Sequence, residues 1–172
     1  PYGDLKESDI IKRALLISDF LVNQKKTKAI VIACNTATAF AVNVLRDRFN
    51  IPIIGMEPAV KPALKVTLNK LVGVLATSGT SKSAKFSALL ERYSGDVKFF
   101  VQPCPGLVNA IERGNFDDAE LFALLEKYLT NFKKNNVDKI TIFNNIQFFK
   151  RFYVKKKQVK NIKFIFIFYT EK

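Results

Sequence analysis

The chain has 172 residues, of which 48% are hydrophobic, and a formal net charge of +13. That length suffices for one good hydrophobic core or two small ones, and no apolar run approaches the roughly 18 residues that a membrane-spanning helix needs. The sequence contains no histidine, which argues against a zinc site and against a histidine-based catalytic triad. Chemistry in this chain must therefore rest on thiol, carboxylate, lysine or tyrosine groups.

Hydrophobic spacing predicts helices and strands that alternate along the chain. The predicted helices span residues 10–24, 37–48, 61–69, 85–93, 107–113 and 119–131, and the predicted strands span residues 29–33, 51–54, 71–76, 97–101 and 138–143. Right-handed crossovers between successive strands would make those strands parallel. The pattern therefore predicts an α/β fold that contains two β-α-β units.

The first predicted helix has both a start signal and an apolar face. Ser8 or Asp9 is expected to cap its N-terminus, because short polar side chains accept hydrogen bonds from the first free backbone N–H groups. Its helical spacing is expected to turn four apolar side chains toward a core, and these are Ile11, Leu15, Phe20 and Leu21.

The positive charge is concentrated at the end of the chain. Residues 143–172 contain seven Lys and one Arg against one Glu, so the first 142 residues carry only +6 of the net charge. A net charge of +6 distributed over these 142 residues is typical of an ordinary solvated surface. The charge distribution therefore argues against nucleic acid and against an acidic membrane as partners.

The cysteine count bears on the compartment. The two cysteines stand far apart, and the sequence shows no basic-then-apolar leader at its start. Structural disulfides are typical of secreted proteins, whereas thiols remain reduced in the cytoplasm. We therefore expect a cytoplasmic protein with two free thiols.

Cys34 is the leading candidate for a reactive group. It follows the predicted strand 29–33 and precedes a predicted helix, and open α/β sheets bind their ligands at this end of a strand. Asn35, Thr36 and Thr38 add amide and hydroxyl groups at a helix N-terminus, where unpaired N–H groups favour an anion. A lone cysteine after a buried strand is also a common small core residue, and the spacing alone leaves that interpretation open.

A second polar turn follows the predicted strand 71–76. It holds Thr77, Thr80 and Ser83, whose hydroxyls suit either ligand contacts or the capping of the next helix. Only Thr80 is expected to contact a ligand. Farther along the chain, Cys104 lies between two prolines, which suits a fixed turn, so it is interpreted as structural.

Five short segments of the sequence form a further pattern. In chain order they are Pro1-Tyr2-Gly3, ACNTAT at 33–38, IPIIGMEPA at 51–59, ATSGT with a following KS at 76–83, and CPGLV running to ERG at 104–114. Over roughly the first 115 positions this chain resembles the glutamate racemases of the aspartate/glutamate racemase family. An aspartate racemase or another two-thiol member is the alternative, and the first two segments favour glutamate.

The resemblance implies an activity and a set of site residues. Glutamate racemases interconvert L- and D-glutamate without a cofactor, and bacteria use the D-form to build peptidoglycan in the cell wall. Because the Cα–H of an amino acid is a very weak acid, a base must stand on one face of the Cα and a proton donor on the other. By resemblance, Cys34 is one of these two thiols. The resemblance also implies glutamate as the ligand and no metal. The substrate-binding residues that the resemblance implies are Tyr2, Gly3, Asn35, Thr36 and Thr80.

Two departures from the family bear on fold and activity. The family begins with a strand that ends in an Asp-Ser turn, and this chain starts without it. The family's second cysteine stands in a Gly-Cys-Thr-His sequence, whereas here strand 138–143 runs into Asn144-Asn145-Ile146-Gln147. Asn145 would replace the second thiol and Gln147 the histidine. We therefore expect two pseudo-equivalent parallel-sheet lobes, the first of them incomplete, and impaired turnover.

The composition changes abruptly at residue 143. Of the last thirty residues, twenty-three are Phe, Ile, Lys, Asn or Tyr, and none is Ala, Gly, Leu, Pro, Ser or Asp. The expected division is a partial first lobe over 1–60, a second lobe over 61–142 and a divergent basic tail over 143–172. The tail is interpreted as a frameshifted or degenerate end, and the alternative is a natural extension that ends in an edge strand over 162–169.

The sequence leaves two functional alternatives open. The chain is either an impaired racemase, compatible with a homodimer, or a catalytically inactive remnant. Such a remnant would bind either an amino acid or, through its basic tail, nucleic acid.

Overall fold

A computed structural model describes residues 2–114, 118–142 and 163–164. The helices are α1 (Glu7–Asp19), α2 (Asn35–Arg48), α3 (Val60–Leu64), α4 (Ser78–Lys82), α5 (Ala84–Tyr93), α6 (Leu107–Glu112) and α7 (Ala119–Lys134). The strands are β1 (Ile30–Ile32), β2 (Ile53–Gly55), β3 (Leu71–Ala76), β4 (Lys98–Pro103), β5 (Lys139–Ile142) and β6 (Lys163–Phe164). Each strand from β1 to β4 is followed by one or two helices.

The strands form two parallel sheets, which confirms the predicted α/β class. One sheet consists of β1 and β2, and the other has the order β4-β3-β5-β6. Every neighbouring pair is parallel, for example Ile30 opposite Ile53 in the first sheet and Val72 opposite Lys139 in the second. Parallel neighbours need crossover connections. In the described ranges, α2 connects β1 to β2, and α4 to α7 lie on the connections that lead from β3 through β4 to β5.

The two-stranded sheet is covered on one face in the described part of the chain. Side chains of β1, β2 and α2 form a buried cluster against which α1 packs. On the opposite face, Val31 and Ile54 are register partners and remain 57% and 51% exposed. A sheet that buries one apolar face and leaves paired Val and Ile side chains in water agrees with an incomplete first lobe.

The four-stranded sheet is covered on both faces. One buried cluster joins it to α6 and α7 and includes Leu75, Phe132 and Ile140, and another joins it to α3 and α5 and includes Val72 and Phe86. Five of the six β3 residues are buried, as expected for the near-continuous apolar run of an interior parallel strand.

The start and end of the first helix differ from the prediction. α1 begins at Glu7 after Lys6, and no side chain caps it, so the prediction that Ser8 or Asp9 caps this helix is wrong. After α1 the chain continues as a π-helical segment, Phe20–Gln24. Because a π-helical turn is wider than an α-helical one, the apolar face shifts: Leu21 packs against the core, whereas Phe20 is 42% exposed.

Two further differences concern short elements. α3 ends at Leu64, five residues before the predicted end, and the residues after it bind elsewhere: Thr67 Oγ1 and the Leu68 N–H donate to the Asp138 carboxylate at 2.6 and 2.7 Å. The short helix α4 occupies what was predicted as a turn.

β6 lies within the predicted edge strand 162–169 and pairs with β5. In the described ranges, no helix is long and apolar enough to cross a membrane.

Candidate active site

Cys34 lies where the sequence places it, between the end of β1 and the start of α2. Its backbone is extended, with φ −141° and ψ 124°, and its Sγ accepts a hydrogen bond from the Ala37 N–H at 3.5 Å, which makes Cys34 the N-cap of α2. The side chain is half-buried. The thiol is therefore held at the mouth of a helix N-terminus and is still reachable.

Three threonine hydroxyls meet where the N-terminal end of α2 faces the N-terminal end of α4. Thr36 Oγ1 lies 3.0 Å from Thr77 Oγ1 and 3.1 Å from Thr80 Oγ1, and Thr77 Oγ1 lies 3.1 Å from Thr80 Oγ1. All three residues are at least 93% buried. We call this closed arrangement the threonine ring. It joins the two sheets through hydroxyl groups at the carboxyl ends of their strands.

Asn35 stands beside this ring with unused hydrogen-bonding capacity. It is 5% exposed, and within the described part of the chain neither Nδ2 nor Oδ1 of its side chain has a partner. Asn35 and Thr80 both line a cavity of about 20 Å³. A buried amide without a partner is costly in a folded protein, which suits a group that pairs with a ligand.

The loop at the start of the chain packs onto the same turn. The Gly3 carbonyl accepts from the Gly79 N–H at 3.3 Å, and a Cβ at Gly3 would lie 2.8 Å from Thr77 Cγ2, so only glycine fits this approach. The Tyr2 ring instead lies under the Arg13 guanidinium, 5.5 Å from the ring centre. Gly3 is thus brought to the threonine ring, and the Tyr2 side chain is held against α1.

The second cysteine has the environment of a structural residue. Cys104 is 4% exposed, its Sγ donates to the Gln102 carbonyl at 3.2 Å, and its N–H donates to the Ala76 carbonyl. Burial raises the pKa of the Cys104 thiol to about 12, against a smaller opposing effect of the backbone hydrogen bond with Ala76. Glu112 lies exposed at the end of α6. Asn145 and Gln147 lie outside the described residues.

The Thr38 side chain connects the ends of β1 and β2, a contact that the sequence does not predict. Its hydroxyl donates to the Ile32 carbonyl at 3.2 Å and accepts from the Met56 N–H at 3.0 Å, so one side chain ties the ends of β1 and β2 together. A Cβ at Gly55 would lie 2.5 Å from Thr38 Cγ2. The ACNTAT segment contains this residue, but nothing in the sequence indicates that it bonds both strands.

A polar cleft of about 240 Å³ adjoins the small cavity and shares Thr38, Glu57 and Lys85 with it. Arg46 also lines this cleft, and its Nε and Nη2 donate to the Ile53 carbonyl at 3.1 and 3.0 Å. None of the substrate contacts that the resemblance implies lines the cleft itself, which adjoins two of them, Asn35 and Thr80, through the residues that it shares with the small cavity.

The site offers one thiol, one free amide, three hydroxyls and helix N–H groups. In the described ranges, no three His, Cys, Asp or Glu residues are grouped so that they could hold a metal ion. A thiol can give or take a proton near neutral pH, and hydroxyl and amide donors can hold a carboxylate. The arrangement therefore suits proton transfer at a carbon next to a carboxylate.

Comparisons with known proteins agree with this chemistry. A family model described as Asp/Glu/hydantoin racemase matches residues 7–142. The chain is 53% identical over 130 residues to a glutamate racemase of Pseudomonas paraeruginosa, and this match covers 75% of the chain and 49% of that protein. The chain thus spans about half the length of the curated relatives it matches.

Solved structures show the same fold. The crystal structure of a glutamate racemase isoform from Bacillus anthracis superposes with a TM-score of 0.78 at 28% identity, covering 96% of this chain and 62% of that one. The glutamate racemase of Francisella tularensis in complex with D-glutamate gives a TM-score of 0.73 at 27% identity, covering 96% and 61%.

Proposed function

Because this chain belongs to the Asp/Glu/hydantoin racemase family, we propose that it is a glutamate racemase, impaired in its second proton transfer. The observation that carries the proposal is the unpaired, buried Asn35 amide next to a half-buried thiol and the threonine ring. These groups suit the carboxylate, ammonium and Cα–H of an amino acid. Relatives at about half identity are glutamate racemases, and one structural neighbour is a complex with D-glutamate, which favours glutamate as the ligand.

Each predicted residue has a role in this proposal. The Cys34 thiolate takes the α-proton from one face of the substrate. Thr36 and Thr80 hydroxyls, with the Asn35 amide, hold the polar groups around Cα, and the Tyr2-Gly3 loop closes the site beside Thr77. Fixed donors that face the carboxylate stabilise the charge that develops as the proton leaves.

Full racemisation requires a second acid/base group on the opposite face. By resemblance that position falls on Asn145, and a carboxamide has no group that can act as a general acid or base near neutral pH. One thiol alone can still remove and return the α-proton from its own face. General acid–base assistance contributes about 10² to 10⁴ in rate per group, so the loss of one group leaves racemisation weak while exchange persists.

The proposed context follows from the same activity. D-glutamate supply for peptidoglycan would place the protein in cell-wall biogenesis and in the cytoplasm, with glutamate as its small-molecule partner. No cofactor has a role in this mechanism. A homodimer is compatible with the proposal and is not needed by it.

The test is solvent exchange at the α-carbon. Purified protein incubated with L-glutamate in D₂O is expected to show deuterium at Cα by NMR, with little D-glutamate by chiral chromatography. Cys34→Ser should abolish the exchange, and Cys104→Ala serves as the matched control that retains it. Rapid formation of D-glutamate would show that another group replaces the second thiol. Glutamate binding without any exchange would favour the inactive amino-acid-binding alternative.

A further inference from the structure

The donor and the acceptor of each hydrogen bond in the threonine ring can be assigned. Each hydroxyl has one proton to donate and two lone pairs that accept. For the Thr77 to Thr80 contact, the heavy-atom angles fit Thr77 as the donor, whereas either partner can donate in the other two contacts. This one fixed direction determines the other two.

Each hydroxyl has only one proton, so the donors of the other two bonds can be assigned in turn. Since Thr77 donates its only proton to Thr80, the Thr36–Thr77 bond must be donated by Thr36. Since Thr36 has then used its proton, the Thr36–Thr80 bond must be donated by Thr80. The hydroxyl bonds therefore run from Thr36 to Thr77, from Thr77 to Thr80 and from Thr80 back to Thr36.

Thr77 has no capacity left for a ligand. Its oxygen accepts the Thr36 hydroxyl and also the Thr80 backbone N–H at 3.2 Å, so both lone pairs and the proton are in use. Thr80 differs, because it alone of the three lines the cavity into which Asn35 faces. Its proton can leave Thr36 for an acceptor in that cavity while the other two ring bonds persist.

We propose that Thr77 is a positioning residue whose hydroxyl sets the direction of the ring, so that Thr80 is the donor to a ligand carboxylate. When the Thr80 proton turns to the carboxylate, Thr36 still donates to Thr77, and its oxygen no longer accepts a hydrogen bond from the ring. The ligand identity rests on the proposed function, whereas the ring direction rests on the geometry of the free protein.

The first measurement needs no ligand. Three-bond NMR couplings to the threonine methyl carbons report the χ1 rotamers of Thr36 and Thr80, and each is expected to occupy one rotamer in the unmodified chain. Thr77→Val keeps the shape and removes the hydroxyl, so both couplings should move toward rotamer-averaged values. Thr77→Ser should keep them. Where Thr77→Val does not fold, Thr77→Asp keeps an N-cap acceptor but has no proton to donate when ionised, and it should show the same averaging.

A matched control separates positioning from helix capping. Ser83 caps α5 through the Phe86 N–H at 3.2 Å and donates to the Thr80 carbonyl at 2.8 Å without joining the ring. Ser83→Ala should lower stability yet leave both couplings unchanged. Couplings that stay fixed in Thr77→Val, or that move equally in Ser83→Ala, would overturn the proposal.

The second measurement is glutamate affinity by calorimetry. Thr77→Val is expected to weaken binding about 2- to 10-fold, as for the loss of one neutral hydrogen bond. Because Thr77 acts through Thr80, the Thr77→Val/Thr80→Val double variant should bind no more weakly than Thr80→Val alone. Additive losses would contradict the positioning role. If the couplings respond as expected but the unmodified chain does not bind glutamate, the proposed function fails and the positioning role of Thr77 in the ring stands.

Discussion

The two cysteines illustrate how burial decides whether a thiol is reactive. Both follow a strand in the sequence, but Cys34 stops at the half-buried N-cap of α2, whereas Cys104 turns inward among α6 and α7 residues. A thiolate is the reactive species, and low polarity around Cys104 disfavours it. The prediction that Cys104 is structural rested on its flanking prolines, and its burial supports that interpretation.

Alkylation should distinguish the two thiols. With its pKa raised to about 12, Cys104 is a thiolate in only about one molecule in 10⁴ at pH 8, and it is also shielded from reagent. Iodoacetamide at pH 8 is therefore expected to label Cys34 alone, as read by peptide mass spectrometry. Both thiols should be labelled in 6 M guanidinium. Equal labelling of the folded protein would contradict the buried position of Cys104.

Thr36 and Thr80 should carry a measurable part of glutamate binding. Their hydroxyls are small polar groups that the N-terminal ends of α2 and α4 bring together. Replacing either by Val is expected to weaken binding by about 1–3 kcal/mol, because a polar group of the ligand is left without its partner. Calorimetric titration measures this. Thr130→Val, which alters an exposed hydroxyl bonded to Glu126 on α7, is the control, and unchanged affinity in both site variants would refute the assignment.

At the scale of elements, one carboxylate fastens the start of β5 to the connection before β3. Asp138 accepts from Thr67 and Leu68 and lies 2.7 Å from Lys139 Nζ, whose side chain is 7% exposed. Burial alone would raise the pKa of Asp138, but the hydrogen bonds from Lys139, Thr67 and Leu68 outweigh it and hold the pKa below its ordinary value of 3.8. The charged carboxylate therefore stabilises the folded state.

This linkage predicts a pH dependence with a defined sign. A carboxyl whose pKa is lower when folded contributes stability above its unfolded pKa and loses it as the pH falls through the folded value. Asp138→Asn should therefore cost about 2 kcal/mol at pH 7, and the difference from the unmodified chain should shrink below about pH 4. Urea unfolding at pH 7, 5, 4 and 3 measures this.

An exposed carboxylate supplies the comparison. Asp96 pairs with Lys70 on the surface, with both side chains largely exposed, so Asp96→Asn should change stability little at any of these pH values. A pH-independent cost of Asp138→Asn would mean that the hydrogen bonds, and not the charge, fasten β5.

The same contacts explain why some elements could be predicted and others could not. The bounds of β3 match the sequence because a continuous apolar run between polar residues specifies a buried strand. α3 is shorter than its pattern predicts because Thr67 and Leu68 bind a carboxylate some 70 residues later. Such a distant partner leaves no local signal, and the same holds for the π-helical segment that exposes Phe20.

At the scale of the whole molecule, the family resemblance predicted the function of the chain, which the spacing of its residues could not predict. Spacing placed Cys34 at a strand end, and the structure agrees, but spacing alone favoured a small core residue over a reactive thiol. Five segments in order pointed to the racemase family, which the family match over residues 7–142 confirms. That match ends where the composition changes at residue 143. The threonine ring required the structure, because its members come from the N-terminal ends of α2 and α4, about 40 residues apart.

The strand order of the larger sheet has a consequence for synthesis on the ribosome. β5 lies between β3 and β6, although it is made after both β3 and β4. The pairing of β3 with β4 can form once residue 103 has emerged, but the other edge of β3 stays open until residues 139–142 follow. During that interval an apolar strand presents free N–H and C=O groups, the form most prone to wrong pairing. The nascent chain therefore has a vulnerable period of about 36 residues, some 2 to 7 seconds at ordinary elongation rates, in which this edge of β3 has no partner strand.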